Sequence, residues 1–176
     1  EPIDSSRLVN GTPNPKLRGD FRLCWDERNL YFLIQVKDPT PGMNTHKEGG
    51  LWMADGVEIF VGGDTTKTGS MIFSDRQILL GAGARPEVHV IDHAEDSKLC
   101  PVVLIPEVGG DGYTLAVTLP WKVLGIEPKP GMELLFDVAV DNSSDGGQRE
   151  QQLAWNGTGE NSKDRGAWGR LKLVEN

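Results

Sequence analysis

Long apolar runs are missing from this chain of 176 residues. No stretch approaches the ~18 apolar residues that a membrane-spanning helix requires, so no membrane insertion is expected. Positive charge is short as well: 18 Lys and Arg stand against 26 Asp and Glu, giving a net charge of -8 and a pI near 4.9. Phosphate backbones are held by cationic surfaces, so nucleic acid is not an expected partner. An acidic surface suits a neutral ligand, a divalent cation, or solubility alone. Cysteine is limited to Cys24 and Cys100, too few for a disulfide scaffold. They either pair in an oxidising compartment or remain as two core thiols, and both readings stand at this point. The chain opens on "EPIDSS" with no basic-then-apolar leader, so a secretion signal is expected to have been removed or never present.

Catalytic signatures are lacking too. There is no G-x-S-x-G elbow, no H-E-x-x-H, no phosphate-binding glycine loop and no C-x-x-C pair. Asp55 and Glu58 do not form a glycosidase pair: on a strand, an offset of three puts them on opposite faces and about 10 Å apart. His89 and His93 have a zinc-like spacing only on a helix. In the β-like "HVIDH" their Cα atoms would be about 13 Å apart, so both are expected at a surface or strand edge. Three Asn-x-Ser/Thr sequons, at Asn10, Asn142 and Asn156, read as chance in a chain rich in these residues.

What is present is turn-rich β-structure. Glycine at 22 and proline at 11 are high, and helix-length periodic segments are absent. "FRLCWD" alternates Phe21, Leu23 and Trp25 against Arg22, Cys24 and Asp26, the period of a half-buried strand. "LYFLIQVKD" is apolar on both faces and predicts a central strand, paired with the first as a hairpin. Further strands are predicted at "DGVEIFVGG", "SMIFSD", "QILLGA", "EVHVID", "CPVVLI", "GYTLAVTLP", "MELLFDVAVDN", "QQLAW" and "GRLKLV", with "WKVLG" a single helical turn. In "MELLFDVAVDN", Leu134, Phe136, Val138 and Val140 share one face, and Asp137, Ala139 and Asp141 the other. The expectation is one all-β domain over 1–176. It would be an antiparallel, immunoglobulin- or jelly-roll-like sandwich of about nine or ten short strands, with residues 1–20 irregular. Within it "LWMADGVEIF" is anomalous, because Glu58 sits among strand residues and Trp52 stands just upstream.

Taken in order, "DFRLCWDERNLYFLIQVKD", "WMADGVEIF", "GYTLAVTLPWKVLG", "KPGMELLFDVAVDN", "GGQREQQLAW" and "WGRLKL" resemble the family 9 carbohydrate-binding modules, from about Phe21 to Leu173. The resemblance implies a β-sandwich that is not an enzyme, found as an accessory domain of secreted polysaccharide-degrading proteins. It implies an oligo- or polysaccharide partner of plant or microbial origin, held by its sugar end, an attached catalytic domain, an extracellular or periplasmic location, and structural calcium. Trp52 matches the family's aromatic wall and Glu58 its hydroxyl acceptor. The chemistry agrees: a pyranose offers apolar C–H faces to an aromatic ring and a rim of hydroxyls to charged acceptors and forked donors. Trp25, Trp121, Trp155 and Trp168 match framework positions.

Three departures from the family pattern are visible. The loop "NGTGENSKD" carries no aromatic where a second tryptophan wall belongs, the matching position lying near Ser162. Ala139 stands where a polar amide is expected. The family's Arg-x-Asn pair gives way to "FSDRQ", leaving Arg76 as a loose substitute. Gln148 and Arg149 lie beside the expected binding end, so the candidate sugar-binding set is Trp52, Glu58, Arg76, Gln148 and Arg149. For calcium, "DNSSDGG" and "KDP" offer carboxylates and loop carbonyls, with Asp141 and Asp145 as ligands; Asx-turn chemistry is the alternative. Two other functions are open: a structural or interaction sandwich that has lost sugar binding, and a haem-binding sandwich ligated through Met43 and His46.

Overall fold

Alternating apolar side chains build two antiparallel sheets, described here over residues 1–175 of a computed structural model. The twelve strands are β1 (Pro2–Ile3), β2 (Leu8–Gly11), β3 (Arg18–Trp25), β4 (Asn29–Lys37), β5 (Gly56–Gly62), β6 (Arg76–Ala82), β7 (Pro86–Val90), β8 (Val102–Pro106), β9 (Gly112–Pro120), β10 (Glu133–Asn142), β11 (Gln151–Ala154) and β12 (Gly169–Lys172). A five-stranded sheet runs β1-β3-β4-β9-β8, and a seven-stranded sheet runs β2-β11-β10-β5-β6-β7, with β12 also paired to β10. β4 is central as its two apolar faces predict, flanked by β3 and β9. The "WKVLG" segment is one helical turn, α1 (Trp121–Leu124), stopped by Gly125 in the left-handed region at φ 67.

The core lies between the sheets. Phe32, Ile34, Leu115 and Leu119 face Val57, Ile59, Ile78, Phe136, Val138 and Val140, and all are essentially inaccessible. Burying each such side chain stabilises the fold by about 1.5–3 kcal/mol. Phe21 meets Trp155 edge-on at 5.3 Å and Phe32 at 5.9 Å, closing one flank.

Two expectations fail locally. Residues 1–20 are not irregular, since β1 and β2 lie at the edges of the two sheets. "SMIFSD" is not a strand. Asp75 Oδ2 accepts from the Ile72 amide at 2.8 Å and its own amide donates to the Ile72 carbonyl at 2.9 Å, so a side-chain-closed turn wins over the alternation. Cys24 is exposed, Cys100 is buried, and both are free thiols. Among the described residues no helix is long and apolar enough to cross a membrane.

β10 positions the functional face. One edge pairs with β5 from Leu135 to Asp141. Its other edge is shared, β11 taking Ala139 to Asn142 and β12 taking Glu133 to Phe136. The chain between β11 and β12 must therefore leave the sheet and return, and it folds over the outer face. There Trp168 packs on Phe60 at 5.4 Å, with Leu135 and Ala139 beneath. Asp137 pins this loop: its Oδ1 accepts from the amides of Val138 at 2.7 Å and Asn156 at 3.2 Å.

Burial raises the Asp137 pKa to about 6, so the native state holds that proton more tightly than the unfolded chain. Its stabilising contribution is complete below roughly pH 4 and is lost as pH rises through about 6. Relative to Asp137→Asn, the wild type is expected to lose on the order of 2 kcal/mol between about pH 4 and pH 7. Urea unfolding of both proteins across that range checks this. A pH-independent gap would show that Asp137 does not titrate there.

Candidate functional site

β5 is buried on both faces. Val57, Ile59 and Val61 point into the core, which leaves Glu58 and Phe60 on the outer face of the seven-stranded sheet. The register brings partners to Glu58 from three directions. Gln77 of β6 lies opposite Phe60 and donates from Nε2 to Glu58 Oε2 at 2.6 Å. Asp141 and Gln152, opposite each other on β10 and β11, lie on the other side. Gln152 Nε2 donates to Glu58 Oε1 at 2.8 Å and to Asp141 Oδ1 at 3.1 Å. Arg149 Nη1 spans the same two oxygens, at 3.2 Å and 2.9 Å.

Two carboxylates thus share one guanidinium in a buried setting. Burial raises Glu58, and Gln77 and Arg149 oppose that rise. Asp141 rises further: burial drives it up, the Glu58 charge adds to this, and Arg149 opposes it. The proton rests on Asp141 and the charge on Glu58, which Arg149 balances, so the floor is close to neutral. Gln152 Oε1 and Asp141 Oδ2 are buried without a protein partner, and Gln152 lines the cleft.

Trp52 comes from a 3-10 turn, Glu48–Met53, which ends just before β5 and holds the ring 40% exposed. The guanidinium carbon of Arg149 sits 4.9 Å from the centre of its ring, a cation–π contact. These groups line a cleft of about 450 Å³, whose facing wall is residues 159–163 of the β11–β12 loop with Asn10 of β2. Ser162 is on that wall, where a second aromatic would stand.

The fold brings Trp52, Glu58 and Arg149 together and leaves Arg76 and Gln148 out of the cleft. Arg76 is buried at one end of the sandwich, where Nε donates to the Val123 carbonyl at 3.0 Å and Nη1 to the carbonyls of Phe73 and Asp75. It satisfies turn carbonyls rather than a ligand. Gln148 is exposed on the β10–β11 loop, outside the lining. Gln77 and Gln152 belong to the site and were not anticipated. The alternation of "QQLAW" puts Gln152 out of phase with core Leu153, but only the pairing with β10 aims it at Glu58. Asp55 and Glu58, three residues apart, serve different clusters.

The expected metal ligands are separated. Asp141 belongs to the cleft floor, while Asp145 closes an exposed turn by accepting from the Gly147 amide at 2.8 Å, the Asx-turn alternative. Among the described residues no group of three or more His, Cys, Asp or Glu is arranged to hold a metal. A different oxygen cluster fits a hard cation better. Asp38 of "KDP" and Asp55 face each other, both buried. Burial, then the Asp38 charge, pushes Asp55 up to about 7. The Asn142 amide reaches Asp38 oxygens at 3.0 and 3.2 Å and Gln151 Oε1 at 2.6 Å, acceptor oxygens at both ends, of which only one can receive its N–H bonds. The Tyr113 hydroxyl, also near both aspartates, is buried without a partner. For haem, His46 Nε2 is engaged by the Gly146 carbonyl at 3.0 Å, and the Met43 amide donates to Asp55.

The family described as "Carbohydrate family 9 binding domain-like" matches residues 1–176. The chain belongs to that family. It is a non-catalytic carbohydrate-binding module, with the sandwich fold such a module requires. An endo-1,4-beta-xylanase A of Thermotoga neapolitana is 28% identical over 176 residues, a match covering 99% of this chain and 16% of the xylanase. The module thus spans about a sixth of that relative's length. Its fold resembles a family 9 module of Caldicellulosiruptor kristjanssonii in complex with cellotriose, at a TM-score of 0.75 and 19% identity, covering 99% of this chain and 89% of that one. The same kind of module from that organism in complex with glucose gives 0.73 at 18% identity, covering 99% and 84%.

In this family 9 module the buried carboxylate pair depends on one cation. Arg149→Met is expected to cost about 3 kcal/mol at neutral pH, because it strands Glu58 and Asp141 without a positive partner. The cost should shrink at pH 5, where the raised carboxylates take up protons more easily. Denaturant unfolding at the two pH values reads this. An unperturbed variant would mean that the pair is neutral without Arg149.

Proposed function

We propose that the Trp52–Glu58 cleft is where this module holds carbohydrate, and that it takes the end unit of a neutral β-1,4-linked chain of glucose or xylose. The observation that carries this reading is the prepared floor: Glu58 is buried and already oriented by Gln77, Gln152 and Arg149 beside an exposed indole. Such a floor presents an ionised acceptor and forked donors to a hydroxyl rim with little reorganisation, and its near-neutral charge suits an uncharged sugar. The ligands of the related structures and the xylanase relative agree with this choice. By the same relationship we propose that the module accompanies a polysaccharide-degrading catalytic domain in an extracellular or periplasmic protein.

One observation favours the second reading, a sandwich that has lost its ligand. Arg149 covers one face of Trp52, and Ser162 replaces the facing wall. Isothermal titration with glucose, xylose, cellobiose and xylobiose separates the two. Binding is expected to be weak, as a one-walled site implies, with a Kd on the order of millimolar. Trp52→Ala should abolish it, and Glu58→Gln should weaken it about tenfold. Silence across the panel would leave the cleft as framework.

We further propose that calcium sits between Asp38, Asp55 and the Asn142 amide oxygen, in reach of the loop that carries Ser143. The support is the crowding of buried oxygens there and their suitability for a hard ion. The ion would supply the charge that two facing carboxylates lack and tie the β4–β5 loop to the end of β10. At neutral pH, millimolar calcium is expected to raise the melting temperature by about 5 °C, and Asp38→Asn should remove that response. A melting temperature indifferent to both calcium and chelator would end this assignment.

A further inference from the structure

The cleft has a closed end and an open end, and the register shows which is which. Arg149 and Trp52 close it near the start of β5, where Asp141 lies opposite Gly56. Its other end is marked by Gln77 and Ile91, which lie side by side because the Ile91 amide donates to the Gln77 carbonyl at 3.0 Å. Two residues beyond Ile91 is His93, whose ring meets Phe73 at 5.9 Å and 62°. Phe73 itself is 89% exposed.

Phe73 stands on a braced turn. Asp75 closes the turn from below, and the buried Arg76 donates from Nη1 to the Phe73 carbonyl at 3.0 Å. The preceding segment is tied to the opposite wall of the cleft through the Met71 amide, which donates to the Lys163 carbonyl at 3.0 Å. Phe73 is therefore held at the open mouth, between the Ile91 side and the Lys163 side. Among the exposed large hydrophobic residues, Trp52 and Phe73 are the two aromatic ones, one at each end of the cleft.

Resting on the reading of the cleft as the sugar site, we infer that Phe73, steadied by His93, forms an outer subsite. It offers an apolar face to the next pyranose along a neutral oligosaccharide whose end unit lies over Glu58. A ring that stays exposed while its backbone is pinned gives a stacking surface at little cost in ordering. This also accounts for the burial of Arg76, which braces the turn instead of touching ligand.

The test is a chain-length series of glucose, cellobiose and cellotriose by isothermal titration, with wild type, Phe73→Ala and Trp52→Ala. Affinity should rise with length in the wild type. Phe73→Ala, a change at an exposed ring, should leave glucose binding and the melting temperature unchanged and weaken cellotriose about fivefold. His93→Ala should give a smaller loss of the same kind. Trp52→Ala should remove binding at every length. If wild type binds glucose but Phe73→Ala matches it across the series, the outer subsite is wrong and the cleft stands. If wild type binds none of the three, both readings fall.

Discussion

A buried carboxylate pair sharing a single guanidinium organises the functional face of this module. Glu58 and Asp141 lie on neighbouring strands of one sheet and would repel each other strongly in so dry a place. Arg149 and Gln152 each bridge the two, and Asp141 retains a proton that Glu58 gives up. The ladder between β5 and β10 is compatible with those side chains only because the β10–β11 loop returns Arg149 over them. That same return places the guanidinium on Trp52, so the neutralisation of the floor and the shape of the aromatic wall are one event.

The splitting of one edge of β10 between two strands has a similar reach. Because β11 and β12 both pair with it, the chain between them has to arch outwards. It becomes the far wall of the cleft and the cover over Phe60 and Trp168. Asp137, facing outwards among apolar neighbours, ties the arch down. A sheet face that would ordinarily meet water is thereby dried, which is why the carboxylates on it have raised pKa values. The wall lacks an aromatic, and the opposite wall spends part of its ring on Arg149. The open mouth, with its braced Phe73, is where additional contact with a longer chain is available.

The half of the molecule that is local was legible in the sequence. Alternation in "GYTLAVTLP" and "MELLFDVAVDN" states which residues face the core, because the period of a strand is two wherever one face is apolar. The two-sided apolarity of "LYFLIQVKD" placed it at the centre of a sheet for the same reason. Glu58 and Trp52 stood out as exceptions to those patterns. The resemblance to family 9 modules then attached a function to the exceptions. "SMIFSD" misled because a single carboxylate, Asp75, closes a turn locally that apolar alternation alone does not foresee. Residues 1–20 misled because short edge strands need a neighbour more than they need a pattern.

What joins Glu58 to its partners lies in pairing between distant segments, and no local period encodes it. Gln77 and Gln152 read as ordinary polar strand residues until the ladders set them on either side of one carboxylate. Arg76 and Arg149 are the same residue type with opposite fates. One is drawn inwards by turn carbonyls, and the other is drawn across the sheet by two carboxylates. Asp141 and Asp145 are four residues apart, yet strand and turn send them to different environments, while Asp38 and Asp55 converge from separate loops. Periodic burial is written in neighbouring residues, and it settled the sandwich. Charge pairing is a matter of three-dimensional distance, and it settled the site.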